Sequence, residues 1–187
     1  MSLVYLNGKG RDMIDSYKEP SGSIPIRSIQ WDSSWPELAE EDDSHLLLSY
    51  LEDRFGIPHG LFEGFLLFKK KRSWWLVKRS PWIAWASRLK VSMVGLRAFQ
   101  KTGKFVKPTT RLIQIFGDRA TRAKFDIDEE QLKKLLKGAL LSVDLELENG
   151  YVILTFQGRP LGLGLLIDGM IRSQIPHMEF LIDNKGF

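Results

Sequence analysis

Helical spacing of apolar residues is confined to a few places along this chain, and strand-like spacing is common. Leu47, Leu48, Leu51 and Phe55 fall on one face of a 3.6-residue period, which predicts a helix. The acidic stretch at 37–43 leads into it, and Asp43 or Ser44 is the expected cap, since their side-chain oxygens accept from free N–H groups of the first turn. Gly56 and Pro58 end it. A short helical turn is expected at 61–63. The apolar and aromatic runs 65–68 and 73–77 predict a hairpin about Lys69, Lys70, Lys71 and Arg72. Residues 82–87 fit helix or strand. Residues 88–99 predict one or two strands interrupted at Gly95, followed by a turn at 101–104. Pro108, Thr109 and Thr110 open a helix that Gly117 stops.

The pattern then changes. Residues 122–127 predict a strand, and Asp128 caps a short helix with Leu132, Leu135 and Leu136 inward. Residues 140–147 alternate Leu141, Val143, Leu145 and Leu147 with Ser142, Asp144, Glu146 and Glu148, the period of a strand with one wet face. Asn149-Gly150 signals a hairpin into the apolar strand 150–156. A turn at 157–160, a glycine-rich strand at 161–167, a turn at Asp168-Gly169 and a third strand at 170–176 complete the series. Upstream of all this, residues 1–36 are rich in Gly, Ser, Pro and isolated charges. They read as irregular apart from a strand expected at 23–31.

The order of these segments resembles the C-terminal RNA-binding region of RsmF-type (Sun/Fmu family) ribosomal-RNA cytosine-5 methyltransferases. The residues that carry it are Leu-Glu-Asp-Arg-Phe-Gly-Ile at 51–57 with the hairpin after it, Gly95-Leu96-Arg97, the helix led by Pro108, and the strands across 140–176. The catalytic domain of those enzymes uses cysteines and needs a long alternating stretch of strands and helices with a glycine-rich first turn. This sequence holds no cysteine and no such stretch. The resemblance therefore implies an α+β protein that stands alone, without methyl transfer. An N-terminal mixed pre-PUA-like unit would cover 1–117, with 1–36 partly irregular, and a small PUA-like β-barrel would cover 118–187.

Composition narrows the reading further. A chain of 187 residues with 43% hydrophobic content can bury a core. The zero cysteine count excludes disulfides and thiolate chemistry. No apolar run approaches a membrane span and no secretory leader is visible at the start, so a cytoplasmic protein is expected. The net charge of +4 conceals a split: residues 69–124 hold sixteen Lys and Arg against Asp118 alone, and the remainder is net acidic. A field so divided suits a polyanion on one side. It would also arise from charges scattered over several faces.

Candidate RNA contacts follow from that split. Lys69, Lys70, Lys71 and Arg72 crowd four charges on one hairpin, which phosphates would relieve; a solvated turn that blocks edge pairing is the other reading. Trp74, Trp75, Trp82 and Trp85 beside them could stack on unpaired bases or lie in the core. Arg88, Lys90, Arg97, Lys101, Lys104 and Lys107 could track a backbone, with Arg88 and Lys90 on one strand face. In the segment resembling the PUA-like domain, Arg159, Arg172 and Gln174 are candidates for phosphate or base-edge contacts, and Gly158, Gly162 and Gly164 are read as permitting barrel curvature. His45, His59 and His177 share no ligand spacing, and no nucleophile elbow or phosphate-binding loop is present, so no metal, cofactor or catalytic residue is expected. The expected function is non-catalytic RNA binding to a structured ribosomal or tRNA-like RNA, in ribosome biogenesis or rRNA modification. The alternatives are an adaptor for a separate methyltransferase or assembly factor, docking through 37–43, and an enzyme with an unrecognised site.

Overall fold

The structure, a computed structural model, describes residues 25–103 and 105–176. These fall into two compact units. Among the described residues, one joins residues 25–35 with Arg79–Ser92, and the other joins Pro36–Lys78 with residues 93–103 and 105–176.

Among the described residues the smaller unit has little regular structure. Of the strand expected at 23–31, residues 23–24 lie outside the described residues and Ile26–Ser28 form a 3-10 turn instead. Pro25, with its fixed φ, opens that turn. The ambiguous stretch is helical over Ile83–Ala86. No strand forms over 88–95, so Arg88 and Lys90 do not share a strand face, contrary to expectation. The unit is held by aromatic and polar contacts: Trp31 and Trp35 rings lie 4.8 Å apart, Trp35 Nε1 donates to the Leu89 carbonyl at 2.9 Å, and the buried Ser87 hydroxyl donates to the Ala84 and Gln30 carbonyls.

The larger unit contains two five-stranded sheets. In the first, β1 (Glu37–Leu38), β2 (Phe65–Lys70), β3 (Ser73–Lys78), β4 (Leu96–Thr102) and β5 (Phe105–Pro108) follow chain order, each antiparallel to the next. The β2–β3 turn is tighter than expected. Lys69 and Lys70 belong to the strand, and only Lys71 and Arg72 turn, with Lys71 in the left-handed region at φ 56°. A bulge opposite Trp74 and Trp75 leaves Ala98 without a ladder partner.

The long helix between β1 and β2, Glu41–Phe55, buries Leu47, Leu48, Leu51 and Phe55, as its periodicity predicts. Gly56 ends it in the left-handed conformation at φ 66°. Its cap differs from expectation: the boundary residue is Glu40, which makes no side-chain cap bond. Asp43 is drawn away by stronger partners on β2 and β3, described below, and the Ser44 hydroxyl donates to the Glu40 carbonyl. A second helix, Thr110–Phe116, starts where Thr109 Oγ1 accepts from Leu112 N at 3.2 Å.

The second sheet has the order β6 (Lys124–Ile127), β8 (Gly150–Phe156), β9 (Arg159–Ile167), β10 (Met170–Ser173), β7 (Leu141–Ser142) and curls into a half-barrel. The α+β class holds. Strands β6 and β8 pair parallel, joined by the helix Glu129–Leu136, whose Asp128–Gln131 capping box matches the expected cap. Residues 140–147 keep their alternating burial, but only Leu141–Ser142 is paired, and to β10. Asn149-Gly150 is accordingly not a hairpin. Asn149 instead braces the β9–β10 turn, exchanging two hydrogen bonds with Asp168 at 3.0 and 2.9 Å. The glycines of β9 serve packing: a Cβ on Gly162 would stand 2.7 Å from Ile175, and one on Gly164 2.7 Å from Ile171.

One apolar core runs through this unit. Leu51 and Phe55 of the long helix, Leu112 and Ile113, Phe99 of the first sheet, and Val152, Leu154 and Leu163 of the second all belong to it.

Candidate nucleic-acid interface

Antiparallel pairing decides which cations meet. Directly opposed residues project to the same face, and neighbours along a strand to opposite faces. Lys69 opposes Trp74, and Trp74 opposes Phe99; this face turns to the core. There Lys69 Nζ forms an ion pair with Asp43 at 2.6 Å and lies 5.5 Å from the Trp74 ring centre, while Trp74 Nε1 donates to the same carboxylate at 3.3 Å. The lysine's hydrogen bond holds the Asp43 carboxyl below the usual carboxylate range, and the carboxylate in turn raises Lys69. Lys69 is thus occupied in holding the helix to the sheet.

The opposite face is different. Lys70 opposes Ser73, Ser73 opposes Gln100, and Gln100 opposes Lys107, which makes one polar row across β2, β3, β4 and β5. Trp75 opposes Arg97 in the next row. Arg97 donates to the buried Ser73 hydroxyl through Nε at 3.1 Å and a terminal nitrogen at 2.8 Å, which aims its guanidinium along this face. Lys70, Lys71, Arg72, Ser73, Trp75, Arg97, Gln100 and Lys101 line one open concavity of about 630 Å³, with Thr102 and Gly103 at its rim. The Lys101 N–H donates to the Arg72 carbonyl at 2.7 Å and ties the two hairpin ends together. Among the described residues, no carboxylate pairs with Lys70, Lys71, Arg72, Arg97 or Lys101. Burial lowers the Lys107 ammonium from its usual value, with no acidic partner among the described residues to offset it.

The remaining sequence candidates lie elsewhere. Arg88 and Lys90 belong to the smaller unit, where Arg88 sits 5.8 Å from the Trp85 ring centre and Lys90 faces Asp32 electrostatically. Lys104 lies outside the described residues. Arg159 opens β9, whereas Arg172 opposes Leu165 six residues along it, a separation of roughly 20 Å at strand rise. Gln174 donates its side-chain N–H to the adjacent Ser173 carbonyl. None of the three lines the concavity. Ser73, Gln100 and Thr102 escaped the sequence reading because only the register places them beside the cations.

Among the described residues, no group of three His, Cys, Asp or Glu side chains could hold a metal ion, and no helix is long and apolar enough to cross a membrane.

Comparison with known proteins bears on both sheets, and the PUA-domain match on the second alone. Residues 122–178 match the methyltransferase RsmF PUA domain. Ribosomal RNA small subunit methyltransferase F of Psychromonas ingrahamii is 25% identical over 146 residues, covering 75% of this chain and 29% of that protein. The protein of the same name from Aeromonas salmonicida is 23% identical over 100 residues, covering 54% of this chain and 21% of its own length. The chain spans less than a third of the length of the curated relatives it matches. Its second sheet, with the helix that joins β6 to the rest, is similar to the PUA domain of RsmF.

Proposed function

We propose that this protein is a non-catalytic RNA-binding module that holds structured ribosomal RNA during ribosome biogenesis or rRNA modification. The observation that carries the reading is the concavity where Lys70, Lys71, Arg72, Arg97 and Lys101 meet without a carboxylate partner among the described residues. Five cations held together by two hairpin ends repel one another in isolation, and phosphate oxygens relieve that repulsion while releasing counterions. Similarity to the RsmF PUA domain, and to proteins named for ribosomal RNA, favours rRNA as the polyanion. Division into a first module over 1–117 and a PUA-like module over 118–187 belongs to the same proposal, as does a cytoplasmic setting. No observation favours the adaptor: the 37–43 stretch has Asp43 committed to Lys69 and Trp74.

The test is binding of small-subunit rRNA fragments by mobility shift across a salt series. Expected is a linear fall of log affinity with log salt, at a slope near −0.7 per neutralised phosphate on single strands. Absence of binding at low salt overturns the proposal.

A further inference from the structure

We infer that the outer face of the first sheet binds unpaired RNA, threading one strand from Trp75 to Phe105 across the polar row between them. The inference rests on the RNA-binding reading above and specifies its ligand.

Two accessible aromatic rings share this face with Phe68, which opposes Trp75 and is fully buried. Trp75 is half-buried and lines the concavity beside Arg97. Phe105 opposes Thr102 at the far end of β4–β5, on the face that carries Gln100 and Lys107, and it is 74% exposed. A phenylalanine exposed to this degree gains little from folding, and β5 is an edge strand, where charged residues are the usual protection. A ring presented there is suited to the flat face of a base.

The spacing argues for a strand of several nucleotides. From Trp75 to Phe105 is two strand spacings across and about four residue rises along, roughly 16 Å. That is several times the 3.4 Å rise of stacked bases, so the two rings address different bases of one strand. Between them lie the groups a splayed strand requires. The Gln100 amide, with no partner among the described residues, offers both donor and acceptor to a base edge. Lys107 opposes it and Lys70 lies beyond Ser73 in the same row, as phosphate contacts, and Lys71 and Arg72 line the same concavity. Rings stack only on bases free of a helix, and sequence-reading contacts in RNA fall on unpaired loops and ends.

Fluorescence anisotropy with a labelled twelve-nucleotide unpaired RNA and a duplex of the same sequence tests this on the full chain. Expected is tighter binding of the unpaired RNA. Phe105→Ala, which removes an exposed ring and leaves the core intact, should weaken unpaired-RNA binding about tenfold without changing the salt slope, with duplex binding unaffected. Trp75→Phe should weaken it less, since a ring remains. RNA binding that is equal for both forms and indifferent to Phe105→Ala overturns this inference while leaving the proposed function standing. Failure of every RNA to bind overturns both.

Discussion

The two sheets of the larger unit differ in what their charges do. Residues 65–108, which hold β2 to β5, carry twelve Lys and Arg and no acidic residue; residues 122–178, which hold the second sheet, carry seven basic and eight acidic residues. In the second sheet polar groups are satisfied at home. Asp126 accepts from the buried Thr155 hydroxyl at 2.6 Å, and Asn149 is paired with Asp168. The Arg54 guanidinium, reaching from the long helix, donates to the Tyr151 and Glu148 carbonyls at 2.8 and 3.0 Å. In the first sheet Arg97 is tied to Ser73, but the cations of the outer face have no carboxylate partner among the described residues. The lesson is that similarity to a known domain and the place of strongest field need not coincide. The region matched to the PUA domain is near neutral, and the field lies on the sheet that precedes it.

The sharpest way to break this comparison is to reverse charge on each side. Lys70→Glu, Lys71→Glu and Arg72→Glu together should cost more than about 100-fold in rRNA affinity at low salt and flatten the salt slope by about 2. Arg159→Glu with Arg172→Glu should cost under about threefold, since those residues stand apart. Equal losses would return the interface to the second sheet.

A packing change tests the other half of the contrast. Gly164→Val would force a side chain against Ile171 and should destabilise the protein by about 2 kcal/mol in chemical denaturation. A wild-type midpoint would mean that β9 packs less closely than described.

Asp43→Asn should cost about 1 kcal/mol, because the carboxylate serves both Lys69 and Trp74. The sign with pH follows from the directions of the two shifts. Asp43 is depressed below its ordinary 3.8, so its contribution is full above that pH and fades as acid protonates it in the folded state. Lys69 is raised above 10.5, so its contribution is full below that pH and fades as pH climbs through the higher folded value. The difference between wild type and Asp43→Asn should therefore be flat from about pH 5 to 9 and shrink below about pH 4. A difference that does not shrink at all as the pH falls below 4 would show that the ion pair is not responsible.

The smallest effect is expected from Lys71→Gly. It relieves a left-handed lysine at φ 56° while adding backbone freedom to the unfolded chain, so stability should change by less than about 1 kcal/mol. Binding should lose only the share of one cation, which a salt series reads as a slope change of about 0.7.

Much of the larger unit is legible in the sequence alone. The burial of Leu47, Leu48, Leu51 and Phe55, the Asp128 cap, the β8–β9–β10 series and the run of basic residues through 69–124 are all local signals, set by spacing within one helix turn or one strand. Misreadings arose where a partner distant in sequence won. Asp43 was expected to cap a helix and was taken by Lys69, 26 residues on; Asn149 was expected in a hairpin and was taken by Asp168. The strand expected over 140–147 kept its alternating faces but found a ladder partner only at Leu141–Ser142.

The sequence by itself determined that this chain carries a dense block of uncompensated positive charge, since composition is a sum that folding leaves unchanged. Which of those cations act together was decided only by tertiary structure. Strand register sends adjacent residues to opposite faces, so Lys69 went to Asp43 and the core side while Lys70, one residue later, joined Arg97 and Trp75 across three strands.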